Sequence, residues 1–408
     1  MQKYLVGGAI RDRLLDYPYT EKDWVVVGSS PEQMIALGFR PVGNDFPVFL
    51  HPESGEEHAL ARTEKKSGKG YRGFTFYTAR DVSLEEDLKR RDLTINAMAE
   101  SGEGQLIDPY NGQQDLQQRK LRHVSDAFME DPLRVLRTAR FAARYHHLGF
   151  TIATETIEAM CRISACGELE HLVAERVWQE TERALGEKSP HIFFNVLRQC
   201  GALAILFPEL DAVFGVPQRS ERQFEIDTGV HTLLALEQAA RLSDSTEVRF
   251  AVAFHDVGRG VADTTRSCQK TVYTQRSVAL VEDLCKRLKV PGQFRRLGVV
   301  VAQFHCQCHR AVELKPEALL RLILHVGAGN AKDLLEPFLL SCEADARGHP
   351  GLEDLPYAVA GYLRDAQREV SSISVDDLVV DGIKGAEIGK HLRLRQTKRL
   401  EHFQQRQG

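Results

Sequence analysis

Through the first 125 residues, apolar positions come in short β-branched and aromatic runs broken by turn residues. Beyond about Asp131 they recur at the three- and four-residue spacing of helices. Trp24–Val27 and Phe46–Leu50 read as strands, punctuated by Gly28-Ser29-Ser30-Pro31 and by Asp108-Pro109-Tyr110-Asn111-Gly112. Further on, Val135-Leu136, Phe141, Ile157, Met160, Val177-Trp178, Val196-Leu197, Leu233 and Leu236 mark helical faces, with Gly and Pro near the expected helix ends. The stretch 209–227 holds Gly215-Val216-Pro217 and few helix-compatible repeats, so it reads as a linker. The pattern predicts an α+β protein: a small α/β head over 1–125, a helical neck over 126–208, the linker, and mostly helical regions over 228–330 and 331–408.

Composition bounds what such a chain can be. With 408 residues, 43% hydrophobic and 27% charged, it has ordinary globular content, and no run approaches the ~18 apolar residues of a membrane span. Met1-Gln2-Lys3-Tyr4-Leu5-Val6 enters a strand-like segment without the basic, apolar and small-residue regions of a secretion signal, so a cytoplasmic address and no membrane partner are expected. Eight scattered cysteines then read mostly as core residues rather than a disulfide framework. A net charge of −4 excludes a uniformly basic coat, but leaves room for a local basic surface among Arg62, Lys65, Lys66, Lys69, Arg72, Arg80, Lys89, Arg90, Arg91, Arg119, Lys120 and Arg122. Charges solvated on several faces would read the same way.

Candidate chemistry begins at Gly7-Gly8, between a strand-like and a helix-like segment, where small residues let backbone amides approach a phosphate; a plain strand-to-helix turn would use the same glycines. In Glu21-Lys22-Asp23, leading into Trp24-Val25-Val26-Val27, residues two apart on a strand share a face and would project two carboxylates together. Such a pair suits a hard cation such as Mg²⁺, although a solvated turn could carry the same acids. Arg90-Arg91-Asp92-Leu93-Thr94-Ile95-Asn96 supplies fixed positive charge and an amide suited to triphosphate and ribose. Glu130-Asp131-Pro132 opens a helix that sets Asp131 beside Arg134 and places Arg137, Arg140 and Arg144 on a neighbouring stripe. Each of these alone also fits a solvated surface.

Their order is specific. Gly-Gly-x-x-Arg-Asp, acid-x-Asp, Arg-Arg-Asp-x-x-x-Asn, Asp-Pro-Tyr-x-Gly with Asp115-Leu116 and Arg119, and Glu-Asp-x-x-Arg together resemble the class II tRNA nucleotidyltransferases. The nearest resemblance is to the bacterial multifunctional CCA-adding enzymes with a C-terminal HD domain. It extends through Asn44–Pro52 and Glu225-Ile226-Asp227-Thr228-Gly229. It implies a nucleotidyltransferase head, a base-reading neck, an HD domain over 228–330 and a helical tail. The implied function is untemplated addition of C, C and A to the 3′ end of tRNA from CTP and ATP, by a monomer or homodimer. Poly(A) polymerase, or a tRNA-binding protein with an inactive head, are the alternatives.

By the same resemblance, Glu21 and Asp23 are the catalytic Mg²⁺ ligands, with Glu21 standing where many relatives have Asp. Gly8, Arg11, Arg91, Arg137 and Arg140 bind the nucleotide, and Asp131 with Arg134 read its base. In the HD domain, His231, His255, Asp256 and Asp345 are expected to hold a transition metal such as Ni²⁺. The histidines that active relatives carry after the His-Asp motif are absent from Ala262–Tyr273, and Arg222-Gln223-Phe224 replaces a Trp-His-Pro. Phosphatase and 2′,3′-cyclic phosphodiesterase activity is therefore expected to be poor or absent. His305-Cys306-Gln307-Cys308-His309 is a weaker metal candidate, since these positions are expected to fan around a helix.

Overall fold

The computed structural model describes residues 1–19, 21–42, 48–66, 74–77, 80–218, 226–261, 270–327, 334–373 and 387–407, which fall into two compact units, Met1–Leu206 and Phe207–Gly408. The first opens with β1 (Gln2–Val6), α1 (Gly8–Leu14), β2 (Asp23–Val27), α2 (Pro31–Ala36), β3 (Arg40–Val42), β4 (Val48–Leu50), β5 (Glu57–Leu60), β6 (Thr63–Lys66), β7 (Phe74–Tyr77), α3 (Leu84–Lys89), β8 (Ala99–Ser101) and β9 (Leu106–Ile107). Seven strands form one sheet in the order β3-β4-β5-β2-β1-β8-β9. Within this sheet, among the described residues, only β2 and β5 pair in parallel; β6 and β7 form a separate antiparallel pair. Of the run expected as a strand over Phe46–Leu50, Val48–Leu50 is a strand, and Gly43–Pro47 lie outside the described residues.

Consecutive β2 residues serve opposite faces, as strand alternation requires. Val25 packs with Val6, Ala99 and Leu88 of α3, while Val26 packs with Leu60, Phe49 and Met34 of α2. The flanking helices start where side chains cap them. Ser30 accepts from Gln33 N ahead of Pro31, and Ser83 and Glu86 form a reciprocal capping box on α3. The remainder of the unit is helical: α4 (Gly112–Gln117), then, after β10 (Lys120–Leu121), α5 (Leu133–Tyr145), β11 (Thr151–Ile152), α6 (Thr154–Ala165), α7 (Ala174–Leu185), α8 (Pro190–Gln199) and α9 (Ala202–Leu206). Helix α5 is buried on nearly every side.

The second unit begins at Phe207, just ahead of the expected linker, which therefore lies wholly within it. Residues 209–227 carry α10 (Pro208–Asp211) and the short pair β12 (Pro217–Gln218) and β13 (Ile226–Asp227). Leu210 and Val213 are buried, and Phe214 abuts Gly229, where any β-carbon would collide with the ring. Apolar residues too sparse for a periodic signal thus tie the segment to the unit. There follow α11 (Thr228–Leu242), α12 (Thr246–Phe254), α13 (Lys270–Arg287), α14 (Gly292–His309), α15 (Pro316–Val326), α16 (Leu335–Arg347), α17 (Ala358–Ser371) and α18 (Glu387–Gln407). The region expected as a tail from residue 331 shares one core with the helices before it. Phe338, Leu363, Leu400 and Phe403 pack with Val248, Val301, Phe304 and Ile323. Among the described residues no helix is long and apolar enough to cross a membrane, and the described cysteines are free thiols.

Candidate active site

A cleft of about 870 Å³ opens in the first unit, lined by residues from β1, α1, β2, β5, α5 and α7 and from the segment after α3. All nine catalytic and nucleotide-binding residues expected from the sequence in the head and neck line it: Gly8, Arg11, Glu21, Asp23, Arg91, Asp131, Arg134, Arg137 and Arg140. The acids occupy one wall. Strand β2 begins only at Asp23, so Glu21 belongs to the segment before it rather than to the strand, yet both carboxylates reach the cleft. Partial burial raises the Asp23 pKa, with Glu21 adding to the rise and Arg91 opposing it. Glu57, in parallel register with Asp23 across β2 and β5, brings a third acid to the lining. The sequence reading missed it, although an acid ahead of the apolar run Ala59-Leu60 repeats the pattern of Asp23.

Arginines face these acids and are fixed from behind. Gly7 has φ +72°, and a β-carbon there would also stand 3.0 Å from Arg91 Nη1, so the β1–α1 turn requires glycine. Buried Arg11 donates to Asp12 from Nε at 2.9 Å and from Nη2 at 2.8 Å, and to the Asn96 side-chain oxygen. Its guanidinium lies over the rings of Phe141 and Tyr145, at 5.1 and 5.3 Å. Asp12 in turn accepts from Tyr145 Oη at 2.6 Å and from Arg144 at 3.3 Å. One carboxylate therefore locks α1 of the head onto α5.

The α5 stripe expected from helical spacing is present. Arg137 donates to Asp92 at 2.8 Å and Arg140 to Glu180 of α7 at 2.7 Å. Burial alone would raise the Asp92 carboxyl, but Arg137 and the Asn96 amide hold it well below the usual range. Asp131 accepts from Leu133 N at 3.0 Å and from Arg176 of α7 at 3.3 Å. Arg134 donates to the carbonyls of Ala127 and Arg90. Arg176 had no local signal in the sequence, because only the packing of α7 on α5 brings it there. Of the expected basic surface, Arg62, Arg90 and Arg91 line the cleft, whereas Lys69 and Arg72 lie outside the described residues.

The second unit gathers His231 from α11, His255 and Asp256 from the end of α12, and Asp345 from α16. His231 Nε2 stands 2.8 Å from Asp345 Oδ1, and His255 Nε2 stands 3.4 Å from the same oxygen and 3.6 Å from Asp256 Oδ2. Each Nδ1 faces a backbone carbonyl, Gly348 O at 3.0 Å and Val252 O at 2.7 Å. A ring whose Nδ1–H is donated in this way turns the lone pair of Nε2 toward the carboxylates, so a proton or a metal ion must sit between them. The donor set fits a transition metal.

Two further histidines enter this centre, contrary to the expected fanning of residues 305–309. His305 Nε2 lies 3.3 Å from Asp256 Oδ1, and His309 Nε2 lies 2.7 Å from Asp345 Oδ2. They are four residues apart on α14 and so share a face; that spacing was legible in the sequence. Arg259 closes the far side, with Nε 2.6 Å from Asp256 Oδ2. Arg222-Gln223-Phe224 and Ala262–Gln269 lie outside the described residues.

Comparison with known proteins agrees with both halves of this architecture. Residues 3–122 match the family model for the Poly A polymerase head domain, and residues 149–214 match that for the probable RNA and SrmB-binding site of polymerase A. The chain is 55% identical to a multifunctional CCA protein of Thioalkalivibrio sulfidiphilus over 408 residues, covering all of both chains. It is 53% identical to that of Teredinibacter turnerae over 407 residues, 99% of each. Among solved structures, the apo form II of a CCA-adding enzyme aligns with a TM-score of 0.65 at 20% identity, over 97% of this chain and 88% of that one. A Thermotoga maritima CCA-adding enzyme complexed with tRNA aligns at 0.62 and 20%, over 98% and 87%. At such identity these last two speak for the fold alone.

Proposed function

The chain belongs to the multifunctional CCA protein family, and on that premise we propose that it adds C, C and A in turn to the 3′ end of tRNA, from CTP and ATP, releasing diphosphate without a nucleic-acid template. The observation that carries this reading is one cleft lined by an acid pair, Glu21 and Asp23, by phosphate-suited arginines, and by Asp131 and Arg134. The head of this family implies a divalent metal. Clustered carboxylate oxygens are the donor set of a hard ion, so Glu21 and Asp23 fit Mg²⁺. When bound, that ion activates the tRNA 3′-hydroxyl and neutralises charge on the leaving diphosphate.

The remaining work falls to the protein. Arg11, Arg91, Arg137 and Arg140 receive the triphosphate, and Gly8 keeps the cleft floor bare beside it. Arg11 and Arg137 are held by Asp12, Asn96 and Asp92, so they meet the substrate already oriented. Asp131 and Arg134 read the base. Cytosine and adenine both present an exocyclic amine beside an unprotonated ring nitrogen, which a carboxylate and a guanidinium satisfy together; uracil and guanine reverse the pattern. Buried groups left unpaired against the wrong base support rejection of roughly 10⁴-fold. The tRNA is held through backbone and shape contacts, in the cytoplasm. In the second unit, His231, His255, Asp256 and Asp345 hold a transition metal such as Ni²⁺, with phosphohydrolase activity poor or absent.

The deciding experiment offers the purified protein tRNA that lacks its last three nucleotides, with CTP and ATP singly and together. Ordered C, C, A incorporation is expected. Runs of A alone would assign a poly(A) polymerase, and no incorporation would assign a binding protein.

A further inference from the structure

Base-reading Asp131 and the triphosphate arginines Arg137 and Arg140 belong to α5 and the turn before it, and α7 packs against that helix. Two charged residues of α7, Arg176 and Glu180, are four apart and so share one face. Arg176 Nη2 donates to Asp131 Oδ2 at 3.3 Å, while Leu133 N donates to Oδ1 at 3.0 Å. Each oxygen of the base-reading carboxylate thus has a partner and keeps a lone pair for an incoming amine. One turn further on, Glu180 is only 3% exposed, on a helix that also buries Val177, Thr181 and Ala184. It accepts from Arg140 Nε at 2.7 Å, and its other oxygen lies 3.7 Å from Arg137 Nη1. A carboxylate in such a place is costly unless paired, and an apolar side chain of similar volume would often serve stability as well. What an apolar residue could not do is orient two guanidinium groups.

We propose that Arg176 and Glu180 are positioning residues that act through these groups: Arg176 fixes Asp131 and with it the choice of base, and Glu180 fixes Arg140 and Arg137 and with them the affinity for the triphosphate, whatever the base. A carboxylate tied at one oxygen can still swing its other oxygen away. The tie from Arg176 sets the plane of the group, and discrimination by hydrogen bonds depends on that direction as much as on the presence of an acceptor. Glu180 does the equivalent for Arg140. By engaging Nε it fixes the plane of a guanidinium whose terminal nitrogens are then aimed before phosphate arrives. Glu187, with Oε1 3.6 Å from Arg140 Nη1, adds a second acid to the same arginine. Base choice and phosphate affinity are therefore set one helical turn apart on α7, by residues of opposite charge. Both roles rest on the reading of the cleft as a CTP and ATP site.

Steady-state kinetics of the full-length protein test the two roles, with CTP and UTP on tRNA lacking its last three nucleotides and with ATP on tRNA ending in CC. Arg176→Ala should lower the ratio of kcat/KM for CTP over UTP by ~10- to 100-fold. In an Asp131→Ala background the same substitution should change that ratio by less than about twofold, because nothing is left for Arg176 to position. Glu180→Gln, nearly isosteric, should raise KM for CTP and ATP alike by ~10-fold and leave kcat and the CTP-to-UTP ratio within about twofold. Thermal melts establish that each variant is folded; if Glu180→Gln is not, Glu180→Asp takes its place with the same expected split. An unchanged ratio in Arg176→Ala overturns the base role. So does an equal fall in the Asp131→Ala background, which would make Arg176 a direct contact of the substrate. Wild-type KM in the Glu180 variant, or a CTP-to-UTP ratio that falls with its KM, overturns the triphosphate role. Wild-type protein that adds no C or A overturns the nucleotidyltransferase reading beneath both.

Discussion

Asp23 and Arg134 sit in the same cleft, yet the structure ties them in very different ways, and their substitutions should fail differently. Asp23 begins a strand and keeps its carboxylate on the cleft wall, so Asp23→Ala should abolish nucleotide addition and leave tRNA affinity within about twofold, because RNA affinity rests on distributed phosphate contacts. Gel-shift and incorporation assays on one preparation check this, and near-normal turnover would remove the metal assignment. Glu21→Asp should be tolerated and Glu21→Ala should not, since Glu21 precedes the strand and its backbone can absorb one methylene. Arg134 is buried and donates to two backbone carbonyls, so Arg134→Ala should lose discrimination against UTP, in ratios of kcat/KM, and also melt lower. Selectivity kept at a lowered melting temperature would make Arg134 a purely structural clamp. These residues were legible because each belongs to a short ordered motif. Glu57, Arg176 and Tyr145 were not, because their place depends on strand register or on helix packing that no local spacing encodes.

At the scale of elements, α5 carries most of the head's order. It reaches α1 through Tyr145 and Asp12, the segment after α3 through Arg137 and Asp92, and α7 through Arg140 and Glu180. Helical periodicity announced its arginine stripe, but not that the stripe faces a buried partner at nearly every turn. Tyr145→Phe removes one of the two hydrogen bonds that Asp12 Oδ1 accepts, the other coming from Arg11 Nε, at a loss of about 1.5–3 kcal/mol for a bond to a charged group. For a unit of this size that is a fall of roughly 2–4 °C per kcal/mol, accompanied by a raised KM for CTP as Arg11 loosens; an unchanged KM would confine the tyrosine to stability. Asp92 gives the pH dependence. Its folded-state pKa is depressed, so its stabilisation is complete above the unfolded value of about 3.9 and is lost as pH falls from there toward the folded value. Asp92→Asn should therefore be less stable at pH 7 and lose less stability between pH 5 and pH 3 than the wild type. Parallel wild-type and variant curves from urea unfolding would count against the Asp92–Arg137 pair as the cause.

Over the whole molecule, the boundary that matters falls between Leu206 and Phe207. Sequence patterning put a linker at 209–227 because glycine and proline mark breaks in periodicity, whether or not the chain there is packed. Each unit has its own buried core, Val25 and Val26 with their neighbours in the first and Phe304, Phe338 and Leu363 in the second, so each should melt on its own terms. Calorimetry should then resolve two transitions, and two perturbations should assign them. Gly258 has no room for a methyl, which would collide with the backbone of Tyr273 and Ser277 on α13. Gly258→Ala should thus destabilise the second unit by about 3 kcal/mol and lower one transition only. CTP at about 100 times its Kd should stabilise its binding unit by about 2.7 kcal/mol and raise the other, provided the cleft is where the nucleotide binds. A single transition that both perturbations shift as a whole would mean that the two units fold as one. A CTP shift in the transition that Gly258→Ala lowers would place nucleotide binding outside the cleft of Arg11, Asp131 and Arg134.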